Sequence, residues 1–235
     1  YYRRFFLLTR IRVQLAEGGG DLLSAHDQAD VATWFGFQSS RDFMREIQKG
    51  LSRVAFYADV DFAHVKASEA TLKRLGSAAL DFVELAQWLE REPTVLVQAK
   101  ARDAGFKLYR SALRRSEADR NRATEALGRL LTKAVDPLQG DETTIALFNS
   151  RWIDLAVTDF KKIVGYVQHD QYHRYTVDAH LLQAVREMKR VAQRPTLLGR
   201  LAKVAKSLSK EDWKILGWAA LYHDVGKGSG EDHSD

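Results

Sequence analysis

Apolar residues recur along the chain at steps of three and four rather than in alternation, and that spacing predicts helices almost throughout. The clearest stripe is Phe43, Ile47, Leu51, Val54, Ala58, Phe62 and Val65. It predicts a long amphipathic helix starting near Ser40 or Asp42, whose short polar side chains suit an N-cap. A second helix is expected over 69–91 through Leu72, Leu75, Ala79, Phe82, Leu85, Trp88 and Leu89, closed by Pro93, and the two should pack antiparallel. From 95 to 134 the pattern is again helical with a break near Gly105, and Pro137 followed by Gly140 marks the next break. Beyond it, helices are expected over 142–149, 152–166, 178–192, 197–207 and 210–223. No strand pattern and no repeat of fixed period stands out, so the expected fold class is all-α and not a solenoid. The break at Pro137–Gly140 suggests two units, a helical bundle domain over 1–148 and a second helical domain over 149–235.

At 235 residues, 45% apolar and 29% charged, the chain has enough material for a sizeable core in one or two domains. No apolar run approaches the roughly 20 residues of a membrane span, so no membrane partner is expected. Cysteine is absent, which excludes disulfides, thiolate zinc, iron–sulfur clusters and a cysteine nucleophile; any metal must bind nitrogen and oxygen. In the N-terminal run Tyr1 to Leu8, followed by Arg10 and Arg12, charge interrupts the apolar residues before a signal-peptide core can form. The expectation is a cytoplasmic chain whose first helix begins mid-fold.

The net charge of +5 is a mild attraction for anions and falls short of a nucleic-acid signature. Essentially all of it sits between 98 and 134, where ten basic residues face four acidic ones. That stripe reads as a solvated face, or as a surface for an acidic partner or phosphate backbone, with only Phe106 and Tyr109 interleaved. Gly18-Gly19-Gly20 reads as a loop between helices, since no P-loop Lys-Ser/Thr follows it.

Histidine is concentrated late: His26 and His64 lie in the first part, whereas His169, His173, His180, His223 and His233 fall in the last 67 residues. His223 and Asp224 end an apolar helix side by side, and adjacent helical positions point about 100° apart, so a cation between them can take imidazole nitrogen and carboxylate oxygen together. His180 sits on a helix whose apolar side is Val177, Leu181, Ala184, Val185, Met188 and Val191, so its ring should face the core shared with the 210–223 helix. Gly226 and Gly228 open the backbone, and Lys227 would put a cation beside a bound phosphate. Each residue has a plainer reading. His180 can be a satisfied boundary histidine, His223-Asp224 a charge pair at a helix end with Gly226 and Lys227 as its cap, and His169, Asp170 and His173 a polar loop.

The whole arrangement resembles the HD superfamily of metal-dependent phosphohydrolases. More closely, Ile163-Val164-Gly165, Gln168-His169-Asp170, Tyr175 through His180, and His223-Asp224-Val225-Gly226-Lys227-Gly228 through Asp232-His233-Ser234 resemble the bifunctional PII uridylyltransferase/uridylyl-removing family. Phe6-Leu7-Leu8-Thr9-Arg10-Ile11-Arg12 and the following helices are similar to that family's helical region between its nucleotidyltransferase and HD domains. The resemblance implies that 149–235 is the first part of an HD domain, incomplete because the closing aspartate is not in this sequence. The nucleotidyltransferase signature and the two glutamine-sensing ACT domains are not in it either, so the chain is expected to be an internal fragment of a longer protein.

The resemblance further implies a divalent metal, Mg or Mn, held by His180, His223 and Asp224. Lys227 would offset charge on the phosphoryl oxygens, and His233 would position the phosphate or protonate the departing tyrosine oxygen. Imidazole ligates only when neutral, so metal affinity should fall below about pH 6.5. The implied partners of the parent are the PII signal protein, UTP/UMP and glutamine, with UMP attached to a PII tyrosine when glutamine is scarce and hydrolysed off when it is plentiful. Two alternatives stay open: a non-catalytic connector docking PII through the basic 98–134 face, and a different HD enzyme acting on free nucleotides.

Overall fold

Polar caps set where the helices begin. The computed structural model describes residues 1–16, 23–77, 81–167 and 176–229, and among them it contains helices and no strand. In order these are α1 (Tyr2–Ala16), α2 (Ala25–Trp34), α3 (Ser40–Lys66), α4 (Glu69–Ser77), α5 (Phe82–Arg91), α6 (Val95–Arg114) and α7 (Glu117–Val135). Then come α8 (Glu142–Asn149), α9 (Ile153–Ala156), α10 (Phe160–Ile163), α11 (Val177–Gln193), α12 (Ala202–Ser207) and α13 (Lys210–Tyr222). Ser24, Asp81 and Ser209 each form a capping box with the acidic residue three positions on, and Thr94 and Ser116 accept from the N3 amides of α6 and α7. No helix among the described residues is long and apolar enough to cross a membrane. Gly18–Gly20 and Ala79 lie outside the described residues.

The all-α expectation holds, and several finer ones change. The 69–91 helix is two helices, because the Asp81–Glu84 capping box starts α5 afresh. The antiparallel pairing of α3 with it is replaced by a division of labour. The first half of α3 buries Phe43 and Ile47 with Val31 and Ala32 of α2, and its second half buries Phe56 and Val60 with Leu96 and Ala99 of α6. The buried face therefore rotates along the helix, leaving Leu51, Val54 and Phe62 of the expected stripe exposed. α5 packs instead on α6, α7 and α8.

The expected break at Gly105 is absent. α6 runs straight through it, and the chain breaks at Arg115–Ser116, where Ser116 caps α7. Gly105 is needed for space: a Cβ there would lie 2.1 Å from Nε1 of Trp152. That indole is wholly buried, stacks on Phe82 at 4.5 Å and donates to the Ala101 carbonyl at 2.9 Å. The expected 152–166 helix is two single turns, α9 and α10, and the first part of 197–207 is a 3-10 segment (Pro195–Leu201) kinked at Gly199. The main core draws Leu85, Leu130 and Leu147 from one side of residue 148 and Trp152, Phe160, Leu181 and Leu221 from the other.

Two devices lock the second half onto α7. Gly217 of α13 lets that helix approach so closely that a Cβ would sit 2.1 Å from the Val135 carbonyl. Lys189 of α11, only 2% exposed, donates to the carbonyls of Asp136 and Gly140 at 2.7 and 3.1 Å, tying the loop after α7 to α11. Burial pushes its ammonium down from 10.5 to about 8.

Gly105→Ala should destabilise the chain by about 1–3 kcal/mol through overpacking against Trp152, read by urea denaturation. For Lys189 the protonated form is disfavoured in the fold. Below pH about 8 both folded and unfolded chains hold the proton and the full penalty applies; from about 8 to 10.5 only the unfolded chain holds it, and stability rises. Denaturation across that window should show the rise, and Lys189→Met should flatten it.

Candidate metal centre

α11 starts where the backbone leaves an extended Thr176, and it buries Val177, Leu181 and Val185, with Lys189 next on the same side. His180 stands at the edge of that face, its amide bonded to the Thr176 carbonyl at 2.8 Å and its side chain 41% exposed. α13 packs against α11 and buries Trp213, Gly217, Ala220 and Leu221. His223 is its C-terminal cap residue, and the following 3-10 turn, Val225–Ser229, sinks Val225 into the core beside α10. Two apolar helix faces thus bring the ends of their polar edges together.

His180 Nε2 lies 3.1 Å from His223 Nε2, and each is 3.6 Å from Asp224 Oδ2. Lys227 Nζ sits 2.8 Å from the same carboxylate oxygen. His223 Nδ1 lies 3.0 Å from the Ala220 carbonyl. A carbonyl only accepts, so that contact assigns the proton to Nδ1 and leaves the Nε2 lone pair facing His180. Ligand atoms held 2.0–2.2 Å from one ion at tetrahedral to octahedral angles are separated by roughly 2.8–3.6 Å, so the two nitrogens and the oxygen have the mutual spacing of a coordination shell. Among the described residues this is the one group of three or more His, Asp or Glu whose donor atoms lie within 4.8 Å of one another. Two imidazoles and a carboxylate make a nitrogen–oxygen set suited to a borderline or hard divalent cation.

The residues that hold α11 in place carry no obvious signal in the sequence. Asp178 accepts from the Gly165 amide at 3.0 Å and is faced by Arg151 at 3.6 Å, and the Val177 amide donates to the Tyr166 carbonyl at 2.9 Å. Gly165 has φ +65°, and a Cβ on it would lie 2.9 Å from the Arg45 carbonyl of α3. Arg45 donates back to the carbonyls of Val164, Lys161 and Lys162. Gly165 and Asp178 belong to the motifs quoted above, which pointed to family and not to this anchoring. Arg45, 119 residues from Val164, has no local signature at all.

Of the residues singled out in the sequence, His180, His223, Asp224 and Lys227 come together. His169, Asp170, His173 and His233 lie outside the described residues. His26 and His64 belong to α2 and α3.

No family model matches the chain, and no solved structure matches it. Curated relatives do. One from Cupriavidus pinatubonensis is 44% identical over 78 residues, covering 32% of this chain and 9% of the relative. One from Azotobacter vinelandii is 40% identical over 78 residues, 33% of this chain and 9% of the relative, and one from Cupriavidus metallidurans is 36% identical over 109 residues, 45% and 12%. The chain is similar to bifunctional uridylyltransferase/uridylyl-removing enzymes. That is the family the sequence motifs resemble, and the matched stretch spans about a tenth of the length of these enzymes.

Nitrogen-15 NMR of the imidazoles at neutral pH should show His223 in its Nδ1–H tautomer. An Nε2–H tautomer would mean that the Ala220 carbonyl does not orient this ring.

Proposed function

We propose that this chain forms the centre of a bifunctional uridylyltransferase/uridylyl-removing enzyme and carries part of its uridylyl-removing site. The observation that supports this most directly is the meeting of His180, His223 and Asp224 at ligand spacing in a chain similar to enzymes with that name. The substrate on this reading is the PII signal protein carrying UMP on a tyrosine, in a cytoplasmic nitrogen-regulation system that responds to glutamine. Uridylyl transfer from UTP belongs to another part of the parent.

His180 Nε2, His223 Nε2 and Asp224 Oδ2 would hold a divalent ion, Mg or Mn, with a later carboxylate of the parent completing the set. When bound, such an ion supplies Lewis acidity toward water and the phosphoryl oxygens. In the hydrolysis, a water oxygen bonds to phosphorus as the bond from phosphorus to the tyrosine oxygen breaks. The departing oxygen takes a proton, the role assigned to His233, and water gives one up. His223 needs no reorientation, because its bond to Ala220 already aims the lone pair. Lys227 pairs with Asp224 and lies where an ammonium can meet developing phosphoryl charge.

The test uses the parent protein with uridylylated PII and Mn²⁺, comparing wild type with the His223→Ala, Asp224→Ala double variant. Release of UMP should fall in the variant by more than the roughly 10–100-fold loss typical of outer-shell changes, with the helical circular dichroism intact. Unchanged release would favour the connector reading. Hydrolysis of free nucleotides in preference to uridylyl-PII would favour a different HD enzyme.

A further inference from the structure

A cavity of about 330 Å³ opens between α1, α3, α6, the α8–α9 junction and the start of α11. Four cations line it, Lys49, Arg53, Arg102 and Arg151, against a single lining carboxylate, Asp178. That carboxylate is already engaged by the Gly165 amide and by Arg151. Arg151 also grips Asp154 with two bonds of 2.8 Å, so its charge is largely answered. Glu46, nearby on α3, bonds the Tyr2 hydroxyl.

The other three cations are not answered in this way. Arg102 donates to the Asn149 carbonyl at 3.3 Å and lies over the Phe56 ring at 4.7 Å; Arg53 lies over Tyr57 at 5.8 Å. Burial pushes the Lys49 ammonium down, with Arg45 adding and Glu46 and Asp178 opposing, and burial pushes the Arg102 guanidinium down, with Tyr57 and Asp103 opposing and Arg151 and Arg53 adding. Like charges gathered in a partly desolvated recess are costly unless an anion joins them. The wall also stores strain. Arg151, at φ +65°, is the one non-glycine residue with left-handed backbone among those described, a conformation that costs energy and collects at functional positions. The lining also includes apolar side chains, Phe148, Val164 and Leu182, with Phe56 beneath Arg102.

We propose that this cavity binds a small organic phosphate, its phosphate held by Lys49, Arg53 and Arg102 and its carbon skeleton resting on Phe56, Phe148 and Leu182. The site uses none of the residues of the metal cluster and does not depend on the hydrolase reading. The two nevertheless share the first turn of α11, where Asp178 and Ala179 line the cavity and His180 belongs to the cluster. A phosphate contacted by three cations gains charge-assisted bonds that neutral lining could not supply.

The test is calorimetry on the full chain at fixed ionic strength, with a chelator present so that no cation at His180 can recruit phosphate. The probes are phenyl phosphate and inorganic phosphate. Phenyl phosphate should bind saturably at one site and more tightly than inorganic phosphate. The Lys49→Gln, Arg53→Gln variant should bind it roughly tenfold or more weakly. A variant with the same charge change on the outer face of α6, Arg110→Gln with Arg114→Gln, should bind as wild type does. Absence of saturable binding, or equal weakening in both variants, overturns the proposal. Equal affinity for the two probes overturns the organic-ligand assignment. Should the cavity variant lose its fold, amide shifts in the wild type decide: changes at Ser52, Gly165 and Ala179 support the site, and changes confined elsewhere overturn it.

Discussion

The burial of Trp152 is the constraint on which the rest of the molecule depends. Its ring fills the space that Gly105 leaves on α6, stacks on Phe82 at the start of α5, and gives its one polar group to a carbonyl inside α6. A buried indole without that acceptor would carry an unpaired donor, so the bond fixes the ring's depth and its rotation together. Because Trp152 precedes α9 and α10 directly, fixing it fixes where the chain heads next, toward Gly165 and the start of α11. The two single-turn helices are too short to hold themselves, and they persist because Ile153, Phe160 and Ile163 are fully buried around them.

From there the site follows by transmission of position. Arg45 caps the carbonyls at the end of α10, Gly165 turns the chain tightly against α3, and Asp178 catches the Gly165 amide, so the first turn of α11 is held from outside the helix. α13 is seated independently, by Gly217 against the end of α7 and by Leu221 in the core. His180 and His223 therefore meet because two separately anchored helices cross at that point. Neither ring is held by burial, since both side chains are 41% exposed. Their order comes from backbone anchoring and, for His223, from the Ala220 carbonyl.

Much of this was legible in the sequence, and the illegible part has a common cause. Helical periodicity located α8, α11 and α13 to within a residue or so, since each has one apolar face and a clear start or stop. His180, His223 and Asp224 were singled out through the family resemblance, since each alone has a plainer reading, and the structure brings their donor atoms together. Periodicity failed where a helix changes neighbours along its length, as α3 does between Ile47 and Phe56, because a single stripe presumes a single partner. It failed also at Gly105, where local propensity points one way and a contact 47 residues distant in sequence decides the outcome. Glycine inside α6 reads as a helix breaker until the indole that needs the gap is known. Lys189, on the buried side of α11, carries no signal of its own in the sequence, because the two carbonyls that receive it are 53 and 49 residues away.

The state of Asp224 links these features to chemistry. With Lys227 at 2.8 Å from Oδ2, the carboxylate has a cation whether or not another arrives, so the fold does not carry an isolated buried charge. The same oxygen lies 3.6 Å from Nε2 of both histidines, so imidazoles and ammonium converge on one carboxylate atom. A lysine three positions from the aspartate suits this pairing, because its stem reaches Oδ2 from within the 3-10 turn and shields the carboxylate on one side.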